Sequence, residues 1–399
     1  MNQAATDQAG ADSGATRHGI IILFASTMPI MAIVSLIPVL PLLMKEFAGV
    51  TGSEFLVPMA LTIPALCVAL FSPLAGWLSD RVGRKHLLVA ALVLYAGFGI
   101  IPWFLDSLFQ IIAARIGLGI MEAVIMTVAT VLIGDYFVGA RREKWIALQV
   151  GFGSIAAIIL IAVGGGLGEI FGSRGPFLLY LLALPIALAA AIILFEPTVK
   201  ATVADGAKAR FPLKAVLPLV LTTIGVGIVF YTVIVQLGPI LGLSGEVSPA
   251  TIGLIGALTN VAVAMGSVLF NKFKQNVGPR LLTVGLVIAA IGYAGVSVST
   301  SLVALAAFSV VACIASGMML PNMLTWTMNS LPPEMRGRGM GMWTGAFFLG
   351  QFVAPLITAS IVPVTGGFAQ TFMAYAAVIA IGAVIVVLTS RRSTMAKSG

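Results

Sequence analysis

The chain is poor in charge: 9% of its 399 residues are Asp, Glu, Lys or Arg, against 59% hydrophobic. So few polar groups cannot clothe a water-facing surface, which excludes an ordinary soluble globular protein. Cysteine and histidine are scarcer still, with two of each. Cys67 and Cys313 stand in separate apolar segments, His18 in the N-terminal tail and His86 beside a basic loop, so neither a disulfide framework nor a metal site is expected. No G-x-x-x-x-G-K-[ST] phosphate loop occurs, so direct use of ATP is not expected. No convergent nucleophiles or acid pairs are present either, and neither enzyme activity nor a cofactor is implied.

What the chain has in excess is apolar length. Runs of about 18 or more residues recur throughout, the length that a hydrocarbon core of roughly 30 Å requires of a helix. They are rich in Leu, Ile, Ala and Gly and do not alternate, which argues against a membrane β-barrel. Twelve helical spans are predicted, at 19–43, 54–78, 86–105, 107–135, 145–171, 175–195, 214–240, 249–271, 280–299, 302–328, 338–363 and 370–390. The expected fold is an all-α membrane protein of two six-helix bundles, 18–195 and 214–390. A disordered tail at 1–17, a polar linker at 196–213 and a second tail at 391–399 complete it.

Basic residues orient the spans. Of the 22 Lys and Arg, all but Lys45, Arg174 and Arg115 fall in alternate loops, so the positive-inside rule places both termini and the linker in the cytoplasm. The formal charge of +8 is thereby assigned to topology and anionic headgroups, with no nucleic-acid role. Shifting the sequence by 195 residues lays Gly83 on Gly278 and Arg141 on Arg336, which predicts two parallel repeats. The same shift lays Arg115 on Val310 and Glu122 on Gly317, so a charged pair in the fourth span has no counterpart.

Glu122 is the one carboxylate expected near the middle of a span, where a charge costs roughly 3 kcal/mol on the lenient insertion scale. Arg115 lies seven residues earlier, about two helical turns, so the two are expected on one helix face. Burial disfavours a charged carboxylate, while water or an approaching guanidinium favours it. A carboxyl moved between such environments takes up a proton on one side and releases it on the other. Arg115 could also cap carbonyls or snorkel.

Between the second and third spans the chain reads Gly76-Trp77-Leu78-Ser79-Asp80-Arg81-Val82-Gly83-Arg84-Lys85. This resembles the signature loop of the major facilitator superfamily, G-x-L-x-D-R-x-G-R-[KR]. The resemblance extends over the whole chain, with a decayed second copy at 271–280 that has Gln275 in place of the acid. It implies the fold of that superfamily and a loop, formed by Gly76, Asp80, Arg81, Gly83, Arg84 and Lys85, that latches the halves in one state of an alternating-access cycle. Asp80 is expected to accept hydrogen bonds from the end of a neighbouring helix. The run from Arg115 to Ala123 reads R-x-x-x-G-x-x-E-A, similar to the anion:cation symporters and the spinster-type transporters. That similarity implies substrate and proton binding by Arg115 and Glu122, although the first span lacks the acid those families often carry there.

Other signals are partial. Drug:proton antiporters of the superfamily carry Gly-Pro shortly before Gly-Gly, whereas here Leu160 and Ile161 precede Gly164, Gly165 and Gly166. The glycines are read as close helix packing. Gly350-Gln351-Phe352 before Pro355 and the short loops are similar to the smaller exporters. The third, sixth, ninth and twelfth spans lack interior Asn, Gln or charge, as lipid-facing positions would. Tyr231, Gln236, Asn260, Asn322, Trp326 and Gln351 are then expected to face a substrate cavity. The expectation is a monomeric, proton-coupled secondary transporter of the bacterial inner membrane, moving a small hydrophobic or amphiphilic compound outward. Proton symport of an organic anion anchored on Arg115, and a non-transporting sensor on the same fold, are the alternatives.

Overall fold

A computed structural model describes residues 16–197, 213–331 and 336–398. The tail before residue 16 and most of the predicted linker lie outside the described residues, as do Lys200, Lys208 and Arg210. Among the described residues there is no strand. Eleven helical stretches are long and apolar enough to cross a membrane, and the longest, Gly139–Ile193, has 55 residues. One crossing needs about 20. Gly172, at φ 68, breaks that stretch into two, giving twelve crossings.

In chain order these are α1 (Thr16–Glu46), α2 (Ser53–Val82), α3 (Arg84–Ile100), α4 (Leu108–Tyr136) and α5 (Gly139–Phe171). The sixth crossing, α6, begins as a 3-10 turn over Gly172–Leu182 and continues as Ala183–Ile193. The second half comprises α7 (Leu213–Val235), α8 (Pro249–Phe273), α9 (Pro279–Val298), α10 (Leu302–Asn329), α11 (Arg336–Thr365) and α12 (Phe368–Ser398). Several run past the expected ends, because hydropathy stops at the first charge while a helix continues into the headgroups.

The repeat appears in the helix bounds. Adding 195 to the bounds of α5 gives 334–366, against Arg336–Thr365 for α11. Gly83 and Gly278, 195 apart, hold φ 98 and φ 116 at equivalent turns, where a side chain would be strained.

One expectation needs correction. The first span is not a continuous helix: it loosens around residues 26–27, runs helically over Met28–Val34, tightens to a 3-10 turn at Ile37–Val39 and resumes at Leu40–Glu46. Pro29, Pro38 and Pro41 remove ladder donors along it. The cause was visible in the sequence, but counting apolar residues does not register it.

The halves meet through α2 against α11 and α5 against α8. The second contact is very close: a Cβ on Gly165 would lie 2.5 Å from the Pro249 carbonyl oxygen and 2.9 Å from the Gly253 Cα. Among the described residues, polar contacts between the halves are Thr62 Oγ1 to the Phe352 carbonyl (3.5 Å), the Ala250 amide to Glu169 (3.3 Å) and Lys45 to Glu246 (3.9 Å). All lie in the part of the bundle away from the basic loops, so the halves are closed at that end. Arg174, an exception to the charge pattern, is held there by Glu46 (2.5 Å) and by the carbonyls of Pro102 and Leu105.

Candidate functional site

The site grows from the proline positions around α4. Pro64 has no amide hydrogen, so the carbonyl of Ala60, four residues earlier, has no ladder partner. In α1 the tightened turn directs the Leu36 amide to Ile33, which leaves the Ala32 carbonyl open. Arg115 fills both vacancies: Nε donates to Ala60 (2.9 Å), and Nη2 donates to Ala32 (2.5 Å) and Leu61 (3.1 Å). Its remaining nitrogen, Nη1, donates to the Tyr180 hydroxyl on α6 at 2.6 Å. Gly119, one turn on, lets α4 touch α2, since a Cβ there would lie 2.6 Å from the Pro64 Cα. The R-x-x-x-G spacing is thus a clamp that ties α1, α2, α4 and α6 together.

Glu122 lies beyond Gly119 and is fully buried, yet neither carboxylate oxygen has a hydrogen-bond partner. The shared burial of Arg115 and Glu122 agrees with the expected face, but an ion pair does not form, because the guanidinium is already committed to carbonyls. Tyr231 of α7, in the second half, lies within electrostatic reach of Glu122. Tyr231 packs against the apolar cores of both halves. Its ring lies 4.7 Å from Phe230 and 5.1 Å from Phe347, which stacks on Trp343 at 5.5 Å. Trp343, Phe347 and Gln351 recur every fourth residue and form one stripe on α11. The Trp343 Nε1 hydrogen and both amide atoms of Gln351 are buried without partners. Each such orphan costs about 1–3 kcal/mol.

The other expected cavity residues divide. Tyr231 lies within electrostatic reach of Glu122, and Gln351 is buried on the α11 stripe that carries Phe347. Gln236 is buried at the junction between Val235 and the short helix Leu237–Leu241, two residues from Gly238, which packs on Pro41. Asn260 donates to the Gly256 carbonyl of its own helix at 2.9 Å. Asn322 does not face a cavity: it is fully buried, accepting from the Gly278 amide (2.8 Å) and donating to its carbonyl (3.1 Å). Trp326 lies beside the same glycine. A buried amide near a left-handed glycine turn finds backbone partners, which removes Asn322 from the site. Trp343 was missed because a membrane tryptophan is unremarkable until its N–H is seen to lack an acceptor.

At the basic loop, Asp80 accepts from Arg84 within its own loop at 3.2 Å rather than from a neighbouring helix end. Arg84 also pairs closely with Asp135 at the end of α4. Arg81 lies over the Trp77 ring at 4.0 Å. Gly76 faces Thr127, and Gly83 lies against Glu196. The Glu196 carboxylate receives the Arg84 amide (2.5 Å) and the Lys85 amide (2.9 Å), capping the start of α3. Asp135 and Glu196 were not anticipated. Acids are few, 14 in the chain, but only the fold brings these two to residue 84.

Comparison with known proteins fits this geometry. A family model described as Major Facilitator Superfamily matches residues 21–246 and, a second time, residues 219–398. The multidrug resistance protein MdtG of Enterobacter lignolyticus is 26% identical over 375 residues, covering 89% of this chain and 88% of that protein. The class B tetracycline resistance protein of Escherichia coli is 31% identical over 160 residues, 39% of each chain. Among solved structures, a bacterial homologue of the human lysosomal transporter Spinster, inward-facing and occupied, superposes with TM-score 0.77 at 18% identity. It covers 93% of this chain and 96% of that one.

Proposed function

The chain belongs to the major facilitator superfamily, and from that premise we propose that it is a proton-coupled exporter of small hydrophobic or amphiphilic compounds, with Glu122 as the proton carrier. The observation that carries this reading is a fully buried carboxyl, free of partners, within α4 and in electrostatic reach of Tyr231 across the junction between the two halves. Rocking of the halves about that junction exposes Glu122 to each side in turn. A proton taken up while the outer side is open stabilises the buried, neutral form. Release toward the basic loops restores a charged carboxylate that favours return. The resemblance to multidrug and tetracycline resistance proteins supports outward transport.

Arg115 supports export over symport of an organic anion. Every side-chain nitrogen is bonded to protein and the residue is 1% exposed, so an anion has no guanidinium to bind. Its part in coupling is to position α4, and with it Glu122. The loop of Asp80, Arg84 and Asp135, with Glu196 behind it, is proposed as the latch that engages when the basic end closes. The basic loops and termini are proposed to be cytoplasmic and the protein a monomer of the bacterial inner membrane.

The test uses purified protein in liposomes loaded with a pH-sensitive dye. With an imposed pH gradient, adding a transported solute is expected to accelerate proton movement in the wild type and not in Glu122→Gln. Equal pH dependence in both proteins removes Glu122 as the carrier, and no solute-dependent flux in either points to the sensor alternative.

A further inference from the structure

The second half carries a groove that the first half fills with side chains. Between α9 and α12 an open cavity of about 560 Å³ is lined by a face of α9 from Thr283 to Ala294 and a face of α12 from Ala376 to Leu388. Buried Ala376 and Ala383 lie at its floor, and Val287, Ile291, Val384 and Leu388, 46% to 57% exposed, form its rims. The repeat shows why it is open. Adding 195 to Leu88, Leu92 and Tyr95 of α3 gives 283, 287 and 290, where the smaller Thr, Val and Ala stand. In the first half those three side chains are fully buried, and the Tyr95 ring packs on Tyr180 of α6 at 5.5 Å. In the second half the aromatic residue comes one turn later, at Tyr293, stacked on Phe372 at 5.2 Å, and Ala290 is too small to fill the groove.

We propose that this groove holds one acyl chain of an anionic phospholipid whose phosphate is bound by Arg280, whatever solute the protein transports. Length selects the leaflet. From Thr283 to Ala294 the helix rises about 16 Å, close to half of a hydrocarbon core of roughly 30 Å. The groove therefore spans one leaflet, the one on the basic-loop side, since α9 enters it from the loop of Lys272 and α12 leaves it toward Arg391 and Arg392. Charge selects the headgroup. From Val247 to Gly399 the chain has eight Lys and Arg but a single acid, Glu334. The first half supplies its own counter-charges, Asp80 and Asp135 for Arg84. Arg280 is exposed about one turn before Thr283, with no ion pair or hydrogen bond among the described residues. A guanidinium there suits a phosphate at the headgroup level. A second copy of the chain fits less well, because symmetric docking sets groove against groove and leaves the apolar walls without contacts. A zwitterionic lipid would fill the groove but bring no net charge to the cations.

The experiment is native mass spectrometry of the full chain, titrated in detergent with phosphatidylglycerol or with phosphatidylcholine of the same acyl chains. The wild type is expected to retain one phosphatidylglycerol at least fivefold more tightly than phosphatidylcholine. Arg280→Gln is expected to bring that preference below twofold and to leave phosphatidylcholine binding unchanged. Ala380→Leu fills the groove from an exposed position and is expected to weaken both lipids fivefold or more. Val93→Ala, on an exposed face of α3, is expected to change neither. A second measurement locates the chain in a bilayer and does not depend on the groove-filling variant. In phosphatidylcholine nanodiscs containing a minor fraction of phosphatidylglycerol brominated in its acyl chain, the added fluorescence of Ile291→Trp is expected to be quenched at a lower mole fraction than that of Val93→Trp. Equal affinity for the two lipids, a preference that survives Arg280→Gln, wild-type binding by Ala380→Leu, or equal quenching at the two positions overturns the inference. Dimers that Ala380→Leu abolishes, with no lipid preference, would assign the groove to a second copy instead.

Discussion

Arg115 donates from all three of its side-chain nitrogens, and four oxygens from three other helices receive those bonds. A guanidinium has the planar fork for this, whereas a lysine ammonium is a compact point that cannot reach both carbonyl sets at once. Arg115→Lys is therefore expected to cost about 3–5 kcal/mol, as removing a partner from a buried charge network does. The readouts are a lower apparent unfolding temperature and slower transport of every substrate by a similar factor. Selective loss of anionic substrates would instead make the guanidinium an anchor and revive symport. The two charges of α4 also show how far residues can be read without a structure. Glu122 is legible because an acid in hydrocarbon needs a reason. The function of Arg115 is not, because it depends on carbonyls that only the folding of Pro64 and of the turn near Leu36 leaves open.

Helices were legible as spans and illegible as surfaces. The run Gly164-Gly165-Gly166 reads as packing from sequence, yet its three members meet different things. A Cβ on Gly164 would collide with the Ser35 backbone of α1 and one on Gly165 with the Pro249 and Gly253 backbone of α8, while one on Gly166 would meet nothing within 4 Å. Gly165→Val is thus expected to prevent closure of α5 on α8 and to shift the population toward a state open at the end away from the basic loops. Gly166→Ala is expected to be silent. Spin labels at Glu169 and Ala250 report the difference as a lengthened distance in the first variant only. If the Gly165→Val distance matches wild type, α5 and α8 are not the closing surface. The broken course of α1 belongs to the same scale. Its prolines were in view, but hydropathy averages over them, and the consequence for Arg115 emerges only when α1, α2 and α6 pack on α4.

The whole molecule is a repeat whose halves have diverged at equivalent points. In the first half the turn at Gly83 is held by ionised groups, with Arg84 bonded to Asp80 and Asp135 and with Glu196 on the backbone amides. In the second half, among the described residues, the corresponding turn at Gly278 is held by a neutral amide, Asn322, buried within α10. The ionic set is partly exposed, so it can exchange partners at little cost. Ion pairs at exposed sites add little stability, and their loss changes how states interconvert more than how tightly the chain folds. A fully buried amide with two backbone bonds has the opposite balance, since removing it orphans the Gly278 amide, while the carbonyl keeps the Leu282 N–H. Asp135→Asn is accordingly expected to slow transport severalfold with an unchanged unfolding temperature, whereas Asn322→Ala is expected to lower stability by about 1–3 kcal/mol, with transport by the folded fraction preserved. Flux per folded molecule and thermal unfolding, measured on the same preparations, separate the two. Equal effects on both quantities in both variants would mean that the halves have not divided latching from bracing, and that the asymmetry seen in their residues is without mechanical consequence.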